Sequence, residues 1–311
     1  MAVSITSQLI MEAARKRGWR AELYHDGAGL YTVTLPDGRE FFLKAMRSYK
    51  SGMVNDFIAN NKSLAQSVVS DMGVRTPDTL SYISDESSRA FLTRHGNIVV
   101  KPLDSSHGLG VTVAIDTVGK MQVAIAKAKK YSSTVLLQQH IEGDDYRVLI
   151  IDKQLAAAVI RKPAFVAGDG THTIEQLIEL ENSSGKRGSG YQKPLSLIDI
   201  QAAREYLGSD LKAVPANGKE VRVMGVANIG RGGVSEDVTE TLDSGLKEDA
   251  IRLTGQLRLS VCGVDFIKAQ DGTHYFIEMN TRPSLGLHEY PYKGHSRGTP
   301  DKFLDWLVKD A

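Results

Sequence analysis

The chain has 311 residues, 41% of them hydrophobic and 24% charged, which is typical of a globular protein of about two domains. Its 38 Lys and Arg nearly balance its 37 Asp and Glu, and this net charge of +1 argues against nucleic acid or an anionic membrane as a partner. The single cysteine, Cys262, excludes an internal disulfide and favours a cytoplasmic location. No apolar run suits a membrane span or a signal peptide.

Helical and strand patterns alternate along the chain, which predicts an α+β fold of α/β type. In chain order, the pattern predicts a helix over 4–18, strands over 30–35 and 40–43, a helix over 54–72, strands over 98–100 and 111–115, a helix over 117–131, a strand over 135–139, a hairpin of 146–151 with 155–160, helices over 173–182 and 244–260, strands over 263–267 and 274–278, and a helix over 301–308. Residues 183–192 are rich in Gly, Ser and Lys and are expected to form a surface loop.

An acidic hairpin near the end of the chain carries the clearest chemical signal. Asp271-Gly272 predicts a two-residue turn, and counting from it places Asp265 directly opposite Glu278, with Asn280 on the same face. A solvated pair of carboxylates is the simpler alternative, but the flanking residues are apolar. Two carboxylates and an amide oxygen form a hard, all-oxygen donor set that suits Mg²⁺, which proteins commonly share with substrate phosphates. The hairpin therefore predicts a nucleotide as well as a metal.

A lysine and a glycine-rich loop follow an earlier strand. Lys101 comes directly after 98–100, and the loop 105–110 contains two glycines and two serines. Such a loop can present backbone N–H groups to phosphates, and the lysine adds a positive charge. The segment is neither a P-loop nor a dinucleotide-binding fingerprint. In isolation it would be interpreted as a surface hairpin, and the acidic hairpin is what favours a phosphate site.

These segments, with others in the same order, resemble the ATP-grasp carboxylate–amine ligases. The matching segments are Asn-Asn-Lys-Ser at 60–63 before 73–77, VVKPLDSSHGLGV at 99–111, VLLQQHIEGDDYRVLI at 135–150, GVDF at 263–266 and FIEMN at 276–280. Segments 6–19, 158–182, 225–242 and 287–307 are similar, more narrowly, to the C-terminal ligase half of bifunctional glutamate–cysteine ligase/glutathione synthetase. The last three also resemble the ATP-grasp domain of cyanophycin synthetase.

The resemblance implies an ATP-grasp fold with a small N-terminal α/β section and two subdomains that clasp ATP. The expected boundaries are 1–77 for the N-terminal section, 78–140 for the first subdomain and 141–311 for the second, which holds the metal site. Because the sequence shows no counterpart of the γ-glutamylcysteine-forming half, we expect a stand-alone ligase. The family often forms homodimers or homotetramers, and the same is expected here.

The resemblance also implies a role for individual residues. Phosphates would be bound by Lys62 and Lys101, beneath the loop containing Ser106, His107, Gly108 and Gly110. Adenine would be bound by Gln138, Gln139 and Ile141, the ribose by Asp145, and Mg²⁺ by Asp265, Glu278 and Asn280. Arg161 and Arg282 would act with Lys101 in catalysis or bind the acid, and the substrate would lie beside Asn228, Arg231 and Tyr292. Each of these assignments follows from position in the family's motifs.

The implied reaction is ATP-dependent formation of an amide or peptide bond. A small-molecule carboxylate would attack the γ-phosphate of ATP to give an acyl-phosphate, and an amine would then displace phosphate. The substrates would be amino acids or short peptides, and glutathione synthesis is one possibility among several. A nucleotide-binding module without ligase activity and a kinase that stops at the phosphorylated acid are the alternatives.

Three positions depart from the family pattern. Relatives often have Glu at the position of Gln138 and usually Arg at the position of Met224, whose charge Arg231 or Arg222 could replace. The metal strand continues as Thr-Arg-Pro at 281–283, where the glutathione-synthetase half commonly has Phe-Asn-Pro. The pocket for the acid is therefore expected to differ from that of the relatives.

Overall fold

A computed structural model describes residues 3–104, 108–188, 193 and 195–309. Within them the chain forms two compact units. The first consists of Met1–Ala65, Asp145–Phe266 and Glu278–Ala311, and the second of Gln66–Asp144 and Ile267–Ile277. The three-section division expected from the sequence stays a prediction.

The described residues form short helices and strands throughout. The helices are α1 (Ile5–Lys16), α2 (Met53–Asn60), α3 (Lys62–Asp71), α4 (Asp85–His95), α5 (Val118–Ala128), α6 (Ile174–Ser183), α7 (Ile200–Leu207), α8 (Ser244–Gln256), α9 (Gly286–Glu289) and α10 (Thr299–Val308). The strands are β1 (Arg20–His25), β2 (Leu30–Thr34), β3 (Glu40–Lys44), β4 (Thr79–Ser81), β5 (Ile98–Pro102), β6 (Thr112–Ile115), β7 (Val135–Gln139), β8 (Gly143–Ile151), β9 (Gln154–Lys162), β10 (Phe165–Ala167), β11 (Arg187–Gly188), β12 (Leu195–Ser196), β13 (Glu220–Arg222), β14 (Val234–Asp237), β15 (Val261–Ala269) and β16 (His274–Asn280). None of these helices is long and apolar enough to cross a membrane.

The first unit is built around a five-stranded sheet of order β14-β9-β8-β15-β16. The pairs β8–β9 and β9–β14 are antiparallel, as expected of an α+β fold. Asp152 and Lys153 join β8 to β9 with positive φ angles of 51° and 61°, so the predicted hairpin is confirmed. The antiparallel sheet β1-β2-β3 lies in the same unit.

One apolar core joins the beginning of the chain to residues far along it. Ile10 of α1 and Tyr31 of β2 are fully buried in the same cluster as Leu149 of β8, Phe303 of α10 and Leu307 of α10. Ser4 caps α1 through its hydroxyl, which accepts the N–H of Ser7 at 3.2 Å. The first strands therefore pack as part of the first unit.

The second unit has an antiparallel sheet of order β4-β7-β5-β6, with an apolar core formed with α4 and α5. Thr117 caps α5, and the predicted helix there is confirmed with a later start and an earlier end. Strands β5 and β7 pair so that Val99 lies opposite Gln138. This pairing brings two predicted nucleotide-binding residues, Lys101 and Gln138, onto neighbouring strands.

Two sequence expectations need correction in the first 72 residues. The helix expected over 54–72 is divided into α2 and α3 at Asn61, whose φ and ψ of −94° and 107° are extended. The Asn61 side chain accepts the N–H of Leu64 at 3.0 Å, so it caps the second helix. Strand β1 was not expected, because in it only Ala21 is buried and the alternation of apolar residues is lost.

Candidate functional site

A buried charge cluster lies on one face of the five-stranded sheet. Asp265 on β15 is 1% exposed, and two arginines bind its carboxylate. Arg147 of β8 donates from Nη2 to Oδ2 at 2.8 Å and from Nε to Oδ1. Arg161 of β9 places its Nη2 2.8 Å from the same Oδ2. The predicted residues Asp265 and Arg161 thus contact each other directly, and Arg147, which was not predicted, is a second partner of Asp265.

The register of β8 and β9 explains why these groups meet. Asp145 pairs directly with Arg161, and Arg147 is two residues further along β8 on the same face. Arg161 donates to Asp145 Oδ1 from Nη2 at 2.6 Å and from Nε at 3.1 Å. Asp145, expected to bind ribose, is therefore an ion-pair partner of the arginine expected to bind the acid or the phosphoryl group.

Because Gly263 has no side chain, it leaves room for the Arg147 side chain to cross the sheet. A Cβ at Gly263 would lie 2.9 Å from Arg147 Cδ and 3.2 Å from Pro283 Cβ, closer than carbon atoms normally pack. The signal that could have identified Arg147 is an arginine within the apolar run of β8, two residues after Asp145. Such a residue must be paired when it is buried.

The carboxylates and guanidiniums of the cluster shift the pKa values of one another. Burial alone would raise the pKa of Asp265, but Arg147 and Arg161 together lower it. For Asp145, burial outweighs Arg161 and raises the pKa. The carboxylates in turn raise the pKa of both arginines despite their burial. Asp265 is consequently held as a carboxylate.

Glu278 and Asn280 lie on the neighbouring strand, β16. The charge of Glu278 helps to raise the pKa of both Arg147 and Arg161, so it acts on the same cluster as Asp265. Asn280 uses its Oδ1 to accept the N–H of Arg282 at 2.8 Å. Arg282 itself is exposed.

The turn before β16 is one residue longer than expected. Ala269 donates its N–H to Thr273 at 2.8 Å and accepts that of Gly272 at 3.0 Å, which leaves a three-residue loop with Gly272 at a φ of 85°. The predicted two-residue turn is therefore wrong by one residue, while the placement of Asp265 directly opposite Glu278 stays a prediction.

The donors at this position fit a hard divalent cation. Asp265 has about four acceptor positions and uses three for arginine, and Asn280 Oδ1 uses one for a backbone N–H. The three carboxylates Asp145, Asp265 and Glu278 outnumber the two guanidiniums, which leaves a negative balance that suits Mg²⁺. Among the described residues, no group of three or more His, Cys, Asp and Glu side chains could hold a metal by itself. A metal here would thus need Asn280 and the substrate as further ligands.

The predicted nucleotide residues Lys101 and Gln138 of the second unit are buried and hydrogen-bonded to each other. Lys101 is 7% exposed, and its Nζ donates to Gln138 Oε1 at 2.9 Å. Gln138 Nε2 donates in turn to Thr79 Oγ1 at 2.9 Å. The Gln138 amide thus accepts a hydrogen bond from the lysine through its oxygen and donates one to the hydroxyl through its nitrogen.

The remaining predicted nucleotide residues are placed as follows. Gln139 Oε1 accepts the N–H of Asp78 at 3.4 Å, and Ile141 is buried. Gly108 and Gly110 both have positive φ, and a Cβ at Gly110 would lie 2.7 Å from the ring of Tyr131. Lys62, in the first unit, begins α3. Ser106 and His107 lie outside the described residues.

Two of the predicted substrate residues, Arg231 and Asn228, form hydrogen bonds with other residues of the described chain. Arg231 binds Asp199 through Nη2 at 2.7 Å and Nε at 3.0 Å, and the carbonyl of Asn228 accepts the N–H groups of Arg231 and Gly233. Tyr292 is 57% exposed. Met224, at the position where relatives usually have Arg, is buried in an apolar cluster.

The sequence matches two descriptions of one protein class. Residues 67–170 match the prokaryotic glutathione synthetase ATP-grasp domain, and residues 216–293 match the RimK-like ATP-grasp domain. Together with the charged face of the sheet, these matches support an ATP-grasp fold.

The chain is also similar to bifunctional glutathione enzymes. It is 31% identical, over 99% of its length, to the glutathione biosynthesis bifunctional protein GshAB of Listeria innocua, of which it covers 42%. For the same protein of Clostridium perfringens the identity is 28%, over 98% of this chain and 41% of the relative. The chain thus spans less than half the length of these curated relatives.

Solved structures confirm the fold. The bifunctional glutathione synthetase of Pasteurella multocida superposes with a TM-score of 0.72 at 23% identity, over 99% of this chain and 44% of that one. D-alanine–D-alanine ligase of Bacillus anthracis gives a TM-score of 0.53 at 16% identity, over 83% of this chain and 69% of that one. The predicted ATP-grasp fold and α+β class are therefore confirmed.

Proposed function

We propose that the protein is an ATP- and Mg²⁺-dependent ligase that joins a small carboxylic acid to an amine. The observation that carries the proposal is the charge cluster of buried Asp265 and Arg147 with partly buried Arg161 and Glu278, in an ATP-grasp fold. Buried charges are costly to maintain, so such a cluster is expected where it serves chemistry. The named activities of the relatives support the same reaction class.

The proposed reaction has two steps. An oxygen of the acid attacks the γ-phosphorus of ATP and expels ADP, which gives an acyl-phosphate. The amine then attacks the acyl carbon, phosphate leaves, and the amine loses a proton. Arg147, Arg161 and Arg282 carry guanidiniums, which match both carboxylate and phosphoryl groups.

The metal would be held by Asp265, Glu278 and Asn280. When bound, Mg²⁺ neutralises negative charge on the phosphates during phosphoryl transfer. The arginines keep Asp265 ionised, so that its carboxylate remains a competent ligand. Lys101, through its positive charge, would bind phosphate oxygens.

Amino acids or short peptides are the proposed substrates. Arginine-rich surroundings favour an acid that carries a second carboxylate besides the one that reacts. A γ-glutamyl compound fits that description, and the relatives are named for glutathione biosynthesis. A cytoplasmic location and a homodimer or homotetramer are part of the same proposal.

The test is interception of the activated acid. Purified protein given Mg-ATP, hydroxylamine and a panel of amino acids and γ-glutamyl peptides is expected to form a hydroxamate, together with one ADP for each hydroxamate formed. Hydroxamate is measured by its ferric complex and ADP by a coupled assay. ADP without hydroxamate would favour a kinase, and neither product across the panel would favour a nucleotide-binding module.

Glu278→Gln is the control variant for this assay. It removes one negative charge and preserves the shape of the side chain, so the fold is expected to persist while product formation ceases. Wild-type ADP formation in this variant at saturating Mg²⁺ would remove Glu278 from the metal assignment.

A separate prediction concerns Lys101. Lys101→Met is expected to weaken ATP binding by about 10- to 150-fold, because a charge-assisted contact is worth about 1.5–3 kcal/mol. Adenosine binding should weaken less, since adenosine has no phosphates. Calorimetric titration of both ligands measures the difference, with Lys120→Met, an exposed lysine on α5, as the matched control. Equal losses would show that Lys101 mainly supports Gln138.

A further inference from the structure

Thr281 occupies the position between two residues of the proposed site, Asn280 and Arg282. It is 6% exposed, and its hydroxyl donates to Asp56 Oδ1. The same oxygen accepts from Asn60 Nδ2 at 2.9 Å and from Arg47 Nη2 at 3.1 Å. A hydroxyl has one donor and two acceptor positions, so this one is fully used.

The partners of Thr281 form a cluster of their own. Asp56 and Asn60 are one turn apart on α2, and Asn60 Nδ2 also donates to the Asp56 carbonyl at 2.6 Å. Arg47 forms an ion pair with Asp56 through Nη2, the nitrogen that also reaches Thr281. The threonine is therefore held by a charged network rather than by a single contact.

The backbone on both sides of Thr281 is fixed together with it. Asn280 Oδ1 accepts the N–H of Arg282 at 2.8 Å, which closes a short ring around Thr281. A shift of Thr281 would accordingly move the amide oxygen proposed to bind Mg²⁺ and the start of the Arg282 side chain. Side chains that orient metal ligands commonly change metal affinity when they are replaced.

We propose that Thr281 is a positioning residue, and that α2 holds Asn280 and Arg282 in their working geometry through Asp56, Asn60 and Arg47. The inference rests on the proposed function for the identity of the metal site. It adds that α2 sets metal affinity through its contacts with Thr281. No local pattern indicates this role, since Arg47, Asp56 and Asn60 are 221 to 234 residues away from Thr281.

The experiment measures how much Mg²⁺ strengthens the binding of ATP. Calorimetric titrations with and without Mg²⁺ are compared for wild type, Thr281→Val and Thr281→Ser. Valine keeps the shape of threonine without its hydroxyl, so the Mg²⁺-dependent gain is expected to fall by about 10- to 100-fold. ATP affinity without Mg²⁺ should stay within about twofold of wild type. Serine retains the hydroxyl and is expected to restore most of the gain.

Two further variants complete the design. Thr254→Val removes an equally buried hydroxyl that bonds the Ala250 carbonyl within α8, so it controls for the cost of the substitution itself. Asp56→Asn is expected to reproduce the loss, and the double variant with Thr281→Val to lose no more than either alone, because both act through one network. Thermal unfolding confirms that each variant is folded.

The outcomes separate this inference from the proposed function. If Thr281→Ser loses as much as Thr281→Val, or if metal-free ATP affinity falls equally, Thr281 is merely structural and the inference is overturned. If wild type forms no hydroxamate but Thr281→Val still loses the Mg²⁺-dependent gain, positioning stands while the ligase proposal fails.

Discussion

Replacing Arg147 with methionine is expected to lower the free energy of unfolding by about 3–5 kcal/mol, the usual cost of removing one member of a buried ion pair. The arginine is 5% exposed and binds both oxygens of Asp265, which is itself 1% exposed. Without it, Asp265 keeps only its contact with Arg161, which it shares with Asp145. Methionine fills a similar volume, so the loss reports charge rather than a cavity.

The double variant Arg147→Met/Asp265→Asn tests that explanation. It removes both charges of the pair while Arg161 retains Asp145, so most of the lost stability is expected to return. Product formation should stay abolished, because a proposed metal ligand is gone. Urea unfolding of wild type, both single variants and the double variant gives the coupling energy. A double variant no more stable than Arg147→Met would show that the arginine stabilises the sheet by packing alone.

A second large effect is expected from His288, on the short helix α9. The imidazole is fully buried, and neither ring nitrogen has a hydrogen-bond partner among the described residues. Burial, together with the positive charges of Arg147 and Lys302, lowers its pKa to about 3, although Asp237 and Asp265 partly oppose this. The folded protein therefore keeps this histidine neutral over most of the acid range.

The sign of the pH effect follows from the lowered pKa. In the unfolded chain the histidine binds a proton below about pH 6.5, whereas in the folded protein it does so only near pH 3. Its neutral form thus contributes stability fully above pH 6.5, and this contribution is lost as the pH falls toward 3. Between pH 7 and pH 4.5 the loss amounts to about 3 kcal/mol.

His288→Gln is expected to flatten the pH dependence by that amount, since glutamine does not titrate. Urea unfolding at several pH values between 4.5 and 7 measures the slope for both proteins. His295→Gln, at an exposed position, serves as the matched control. Parallel curves for wild type and His288→Gln would mean that the histidine gains a proton in the folded state without cost.

Local signals predicted most of the elements, because caps and turns act over a few residues. Ser4 and Thr117 begin helices as expected, and the Asp152-Lys153 turn joins the strands that the alternation indicated. The helix over 54–72 was wrong at Asn61, where an apolar pattern continues through a residue that caps the second helix instead of extending the first. Periodicity alone does not distinguish one helix from two in such a case.

The site was predictable in its residue types and less so in its contacts. Asp265, Arg161 and Glu278 were identified from motifs, and the structure adds Arg147, whose role no motif had indicated. The role of Thr281 was also not predictable, because a threonine after a strand indicates no function until its partners on α2 are known. Contacts across more than 200 residues depend on strand pairing and loop length, which local sequence patterns do not determine.

The core shared by α1, β2, β8 and α10 has a consequence for folding during synthesis. Phe303 and Leu307, which complete the cluster of Tyr31 and Ile10, leave the ribosome about 270 residues after them. Long sequence separation slows the closure of such contacts. Meanwhile 66–144, most of the second unit, is synthesised as one continuous stretch and can collapse on its own apolar cluster. The apolar residues of α1 and β2 thus have to be kept from aggregating until α10 is made, and chaperones would act during this interval.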